Sequence, residues 1–155
     1  MAKISNHPQH IMLIDDDDDD VHLFRIMASE FFPEVTISVA SNGEEALEKL
    51  KKPGVQRPEL IFLDINMPKM DGFECLGELK KDFVLSTIPV IIYSTSSIEK
   101  QVTKAYEMGA HLYVVKAFDL VSYEDMLRKV LTRNWKEAPA KADFFIGDTT
   151  NIHWH

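Results

Sequence analysis

Five short apolar runs recur along the chain, each separated from the next by an amphipathic stretch. They are Ile11–Ile14 (IMLI), Val35–Ala40 (VTISVA), Leu60–Leu63 (LIFL), Val90–Tyr93 (VIIY) and His111–Val115 (HLYVV). Four of them are almost unbroken in Ile, Leu, Val and Tyr, the pattern of parallel strands covered on both faces. The second alternates more, which suits a strand nearer a sheet edge. Between the runs lie helical patterns. The first, about Asp18 to Phe32, sets Val21, Phe24, Ala28 and Phe31 on one stripe and stops at Pro33. The second spans about Gly43 to Lys52, and the third about Gly72 to Phe83. The fourth, about Ser97 to Met108, closes on Gly109 as a C-cap, and the fifth runs from about Leu120 to Trp135. Strands alternating with helices predict an α/β fold, a doubly wound five-stranded parallel sheet with helices on both faces and right-handed crossovers. After Trp135 the composition changes. Lys136–Ala142 (KEAPAKA) reads as a linker and Asp143–His155 as an apolar-aromatic end, which divides the chain into a domain, 1–135, and a linker and tail, 136–155.

Charge changes this picture at one place. The 155 residues carry 25 Asp plus Glu against 17 Lys plus Arg, a formal net charge of −8, and six of the acids form the unbroken run Asp15–Asp20. Outside that run the surface is close to neutral, so the acidity is local. With no cationic excess to neutralise phosphates, nucleic acid is not an expected partner. A single cysteine, Cys75, cannot form an internal disulfide. The first ten residues lack the apolar core of a signal peptide, and no apolar run reaches the ~20 residues that span a bilayer. A cytoplasmic protein with no membrane partner is expected.

In a parallel α/β sheet, ligands gather at the carboxyl ends of the strands, near a topological switch point. Asp15 and Asp16 follow the first strand, Asp64 the third, Ser94 and Thr95 the fourth, and Lys116 the fifth. Three carboxylates converging on one edge repel one another unless a cation offsets them. Ligands that are all oxygen favour a hard divalent ion, Mg2+ above all. A carboxylate beside Mg2+ can attack a phosphoryl group, while an ammonium and a hydroxyl neutralise and bind the phosphoryl oxygens.

These motifs resemble the receiver domain of two-component response regulators, of the chemotaxis-regulator type. IMLIDD, SNGEEAL, LIFLDINMPKMDGFE, IPVIIYST and HLYVVKAF carry the resemblance, in order, over residues ~9 to 135. It implies a flavodoxin-like strand order 2-1-3-4-5, with Asp64 as phosphoacceptor. Asp15, Asp16, Asp64 and the carbonyl of Asn66 would hold the metal. Ser94 and Lys116 would bind the phosphoryl group, and Tyr113 would swing inward once Ser94 moves. A sensor histidine kinase or phosphotransfer protein would supply the phosphoryl group, and a downstream protein would read it. The face made by the fourth helix, fifth strand and fifth helix would provide that contact, or a homodimer interface. Such a protein is a signalling phosphoacceptor, not an enzyme acting on a separate substrate. One departure stands out: Ala117 follows Lys116 where the family usually has proline. A cis bond there would cost about 3–4 kcal/mol, against about 0.5–1 before proline, so either a trans bond or a strained cis bond is expected.

Other chemistries compete for the same residues. The Asp run fails as a calcium loop, because no register supplies both the glycine at position six and the glutamate at twelve. A metal-dependent phosphohydrolase using Asp15 or Asp64 as nucleophile is a second reading. A receiver-like scaffold that Ala117 has stopped from switching is a third. Asp17–Asp20 are expected only to open a helix, where carboxylates favour the positive helix end by ~0.3–1 kcal/mol each. Cys75 and most methionines read as packing, and the six histidines lack metal-ligand spacing. Three roles are open to Phe144, Phe145, Ile146 and Trp154, packing back on the domain, a dimer contact or docking of a partner, and the first is the one expected.

Overall fold

The computed structural model describes residues 7–67, 70–135 and 139–147. In chain order the elements are β1 (His10–Ile14), α1 (Asp18–Phe31), β2 (Thr36–Ala40), α2 (Gly43–Lys51), β3 (Leu60–Leu63) and α3 (Gly72–Lys81). They continue through β4 (Val90–Ser94), α4 (Glu99–Glu107), β5 (Leu112–Val115) and α5 (Leu120–Leu131) to β6 (Phe145–Ile146). Every pairing in the sheet is parallel, in the order β2-β1-β3-β4-β5-β6.

Strand side chains alternate between faces, and the core divides accordingly. Met12, Ile14, Ile61, Leu63 and Ile92 pack against buried residues of α2, α3 and α4, among them Leu50, Leu76 and Val102. Ile11, Leu13, Leu60, Phe62 and Ile91 face the other way, onto Phe24 and Ala28 of α1 and Leu127 and Val130 of α5. Both faces are thus covered, which is why four strands carry continuous apolar runs. The more alternating second run is β2, and it lies at the sheet edge with its first residue exposed.

Three expectations are corrected. The sheet has six strands where five were expected. The extra strand lies in the segment read as tail: Tyr113 donates its backbone N–H to the Phe144 carbonyl at 2.9 Å, and Tyr113 and Val114 pair with Phe145 and Ile146. Phe144 is 2% exposed, so the aromatic end does pack back as far as residue 147; Trp154 lies outside the described residues. Helix α5 ends at Leu131, not Trp135, because the Trp135 indole folds back and donates Nε1–H to the Val130 carbonyl at 3.0 Å, satisfying a last-turn acceptor. Helix α4 begins at Glu99, not Ser97, since Ser96 turns the chain by accepting the Ile98 N–H on its own hydroxyl. At its other end Gly109 adopts φ +91, the left-handed cap expected of it.

Candidate functional site

The carboxyl edge of the sheet is assembled from four strand ends held in register by the backbone. The Asp15 N–H bonds the Ala40 carbonyl at 3.1 Å, and the Asp64 N–H bonds the Ile14 carbonyl at 2.9 Å. The Lys116 N–H bonds the Ser94 carbonyl at 2.8 Å. These ladder bonds place Asp15, Asp64, Ser94 and Lys116 side by side, and all four are buried. Among the described residues, they are the charged and serine side chains buried as whole residues, beside the hydroxyls of the core tyrosines. Such groups are costly to bury unless paired.

Asp64 is held by the loop that follows it. Its Oδ1 accepts the Asn66 N–H at 3.1 Å, and the Gly72 N–H returns to the Ile65 carbonyl at 3.1 Å. Gly72 opens α3 so close to this loop that a Cβ there would sit 2.4 Å from the Asp64 carbonyl oxygen. Asp71 caps α3 by accepting the Glu74 N–H at 2.9 Å. The Asp-Gly-Phe-Glu that follows Asp64 in sequence therefore works as a clamp on the backbone of Asp64.

Carboxylate oxygens of Asp15, Asp16 and Asp64 lie within 4.8 Å of one another. An all-oxygen trio this close fits a hard divalent cation, with open positions left for water. Asn66 is exposed beside it. Burial pushes the Asp64 carboxyl up to about 6; the nearby Lys116 ammonium and the Asn66 N–H pull against this, while Asp15 and Asp16 add to it.

Lys116 takes one of the two arrangements expected of it. Among the described residues there is no cis peptide bond, so Lys116–Ala117 is trans. The ammonium nevertheless reaches the site: Nζ lies 2.8 Å from Asp15 Oδ2, 2.7 Å from Asp20 Oδ2 and 3.6 Å from Asp64 Oδ2. Burial alone would lower the lysine, but the hydrogen bonds it donates to Asp15 and Asp20 outweigh it and raise its pKa. Asp20 was expected only to help open α1, and that expectation is corrected. Asp17 does the capping, accepting the Asp19 and Asp20 N–H groups at 2.9 and 3.2 Å. Asp20 instead turns inward as a fourth carboxylate. Its position one helical turn beyond Asp16 was the signal available in the sequence.

Ser94 is the last residue of β4 and fully buried, while Thr95 beside it is exposed. The Ser94 hydroxyl oxygen accepts the Ser96 N–H at 3.1 Å. Tyr113 is also fully buried, its hydroxyl donating to the Ser96 carbonyl at 2.7 Å. Phe145 stacks over its ring with centroids 6.0 Å apart. The aromatic ring already lies inward beneath β6, adjacent to the serine loop. Cys75, in contrast, is buried in the core, where burial pushes its thiol up to about 12, as fits packing.

The response regulator receiver domain family matches residues 11–128. Response regulator Rcp1 of Synechocystis sp. is 31% identical over 134 residues, a match spanning 84% of this chain and 91% of that protein. A probable transcriptional regulator, ycf27, of Cyanidium caldarium is 33% identical over 139 residues; the match spans 86% of this chain and 53% of ycf27, about half its length. Among solved structures, the Mn(2+)-bound form of Rcp1 aligns with a TM-score of 0.72 at 30% identity, over 86% of this chain and 100% of that one. The phosphorylated cyanobacterial phytochrome response regulator RcpA aligns with a TM-score of 0.72 at 29% identity, over 79% and 90%. The chain belongs to the response regulator receiver domain family, and is a receiver of two-component signalling.

Proposed function

We propose that Asp64 is the phosphoacceptor of this receiver, charged by a histidine kinase or phosphotransfer protein with Mg2+ in the site. The observation that carries this reading is the convergence of buried Asp64 with Asp15, Asp16 and Lys116 at one strand edge. Asp15, Asp16 and Asp64, with the Asn66 carbonyl, would hold the ion, which when bound offsets the negative charge of the entering phosphoryl group. The Mn(2+)-bound form of Rcp1 supports a divalent ion in such a site.

A carboxylate oxygen of Asp64 attacks phosphorus, an O–P bond forms and the donor's P–N bond breaks, leaving its electron pair on the histidine nitrogen. Ionisation near pH 6 leaves Asp64 mostly in its nucleophilic form at neutral pH. The Lys116 ammonium and the Ser94 hydroxyl then bind phosphoryl oxygens. Water later attacks the aspartyl phosphate and restores the carboxylate.

The new charge, about −1.5 to −2, is what the fold must read. Ser94 moves toward it, and the serine loop pulls on Tyr113, whose ring is covered by Phe145 and whose backbone holds β6. Strand β6 and Tyr106 of α4, which meets Phe144 edge-on at 5.2 Å, lie on the same α4–β5–α5 side. We assign the switched protein contacts, with a downstream protein or a second copy, to that side. Treating the protein with Mg2+ and acetyl phosphate tests the reading: one phosphoryl group is incorporated, and the Asp64→Asn variant takes up none. Full labelling of that variant would overturn it. Sustained turnover of a phosphomonoester would favour a phosphohydrolase instead.

A further inference from the structure

We propose that Asp20 is a positioning residue: it is the resting partner of Lys116, competing with the phosphoryl group for the same ammonium. The inference rests on Asp64 being the phosphoacceptor. Lys116 is buried and has one Nζ to share. Its two short contacts go to Asp15 and Asp20, and Asp64 lies farther off at 3.6 Å. Asp15 also belongs to the trio suited to a cation, and its second oxygen already accepts the Asp17 N–H at 2.9 Å. Asp20 is outside that trio. A cation drawing on Asp15 therefore leaves Asp20 as the lysine's dedicated counter-charge. With the ammonium parked there, Asp64 keeps an oxygen free for attack.

Drawing the ammonium toward a phosphoryl group at Asp64 weakens its contact with Asp20, so the strength of the Asp20–Lys116 pair subtracts from phosphoryl affinity. The pair is also built into the fold. Asp17 caps α1 and fixes the backbone N–H of Asp20, so Asp20 presents its side chain inward while Asp18 and Asp19 remain exposed. One residue of the acidic run is thereby assigned a task that its neighbours on the same helical turn do not share.

Beryllofluoride, as the phosphoryl analogue, tests this on the full chain in saturating Mg2+. Asp20→Asn keeps shape but weakens the competing pair, and its beryllofluoride dissociation constant falls by about three- to tenfold. Asp20→Glu restores the carboxylate and moves the constant back toward the parent. Asp19→Asn removes the same charge from the exposed side and leaves the constant unchanged. Nuclear magnetic resonance of the lysine ε-carbons supplies a readout apart from affinity: the Lys116 signal shifts in Asp20→Asn and not in Asp19→Asn. An unchanged or weakened constant in Asp20→Asn overturns the proposal, as does an equal tightening in Asp19→Asn, which would mark a general charge effect. The Asp64→Asn variant separates the two levels. If it neither labels nor binds beryllofluoride while Asp20→Asn behaves as the parent, only the role of Asp20 fails. If it still labels, both readings fail.

Discussion

Magnesium affinity should depend on pH through Asp64. Its carboxyl is raised from 3.8 to about 6, chiefly by burial. The ion needs the carboxylate, so protons and Mg2+ compete, and affinity weakens as pH falls through that value. At pH 7.5 nearly every Asp64 is ionised. At pH 5, one unit below the midpoint, about one in eleven is, so the apparent dissociation constant rises about tenfold between the two. Isothermal titration in buffers of different ionisation enthalpy measures both the affinity and the protons released. Release approaches one proton per ion near pH 5 and falls toward zero at 7.5. In Asp64→Asn the affinity is lower throughout and this component vanishes. Lys116 pulls the Asp64 carboxyl down, so Lys116→Met moves the midpoint above 6. An affinity that stays flat from pH 7.5 to 5 in the parent protein would refute the burial argument for Asp64.

Three further measurements probe what supports the site. Phe144→Ala removes a side chain that is 2% exposed, and urea unfolding should register a loss of about 3 kcal/mol, the low end for a buried Phe→Ala because an edge segment can relax. Truncation before residue 139 sets the ceiling on that loss, since a detached β6 can lose no more than its docking energy. Gly72→Ala forces a methyl to within 2.4 Å of the Asp64 carbonyl oxygen; it should destabilise by about 1–3 kcal/mol and depress acetyl phosphate labelling more than an exposed-helix Ala substitution does. His111 is pushed down to about 4 by burial, with Lys80 adding to it, so its ring signals should show no titration between pH 7.5 and 5.5.

What the chain made legible and what it hid follow from how far each feature reaches in space. Unbroken apolar runs announce strands such as β3 and β4 because covering both faces is a local demand on every residue. Asp15, Asp64, Ser94 and Lys116 could be placed together because parallel strands end on one edge, and the residue after each strand must lie there. Asp20 escaped that logic: it follows no strand, and its aim depends on where α1 leaves the sheet. Its offset from Asp16 by one helical turn is a weak mark within a run where every residue is the same. Strand β6 escaped for a different reason. Two residues cannot display a period, and nothing in Phe145–Ile146 distinguishes a strand from an apolar tail until Tyr113 offers a backbone N–H at the open edge of β5. Both missed features touch the groups that would carry the signal, Asp20 through Lys116 and β6 through Tyr113. A receiver's common chemistry is thus written in residues that strand geometry brings together, whereas what individualises this one lies in contacts between elements that no local pattern encodes.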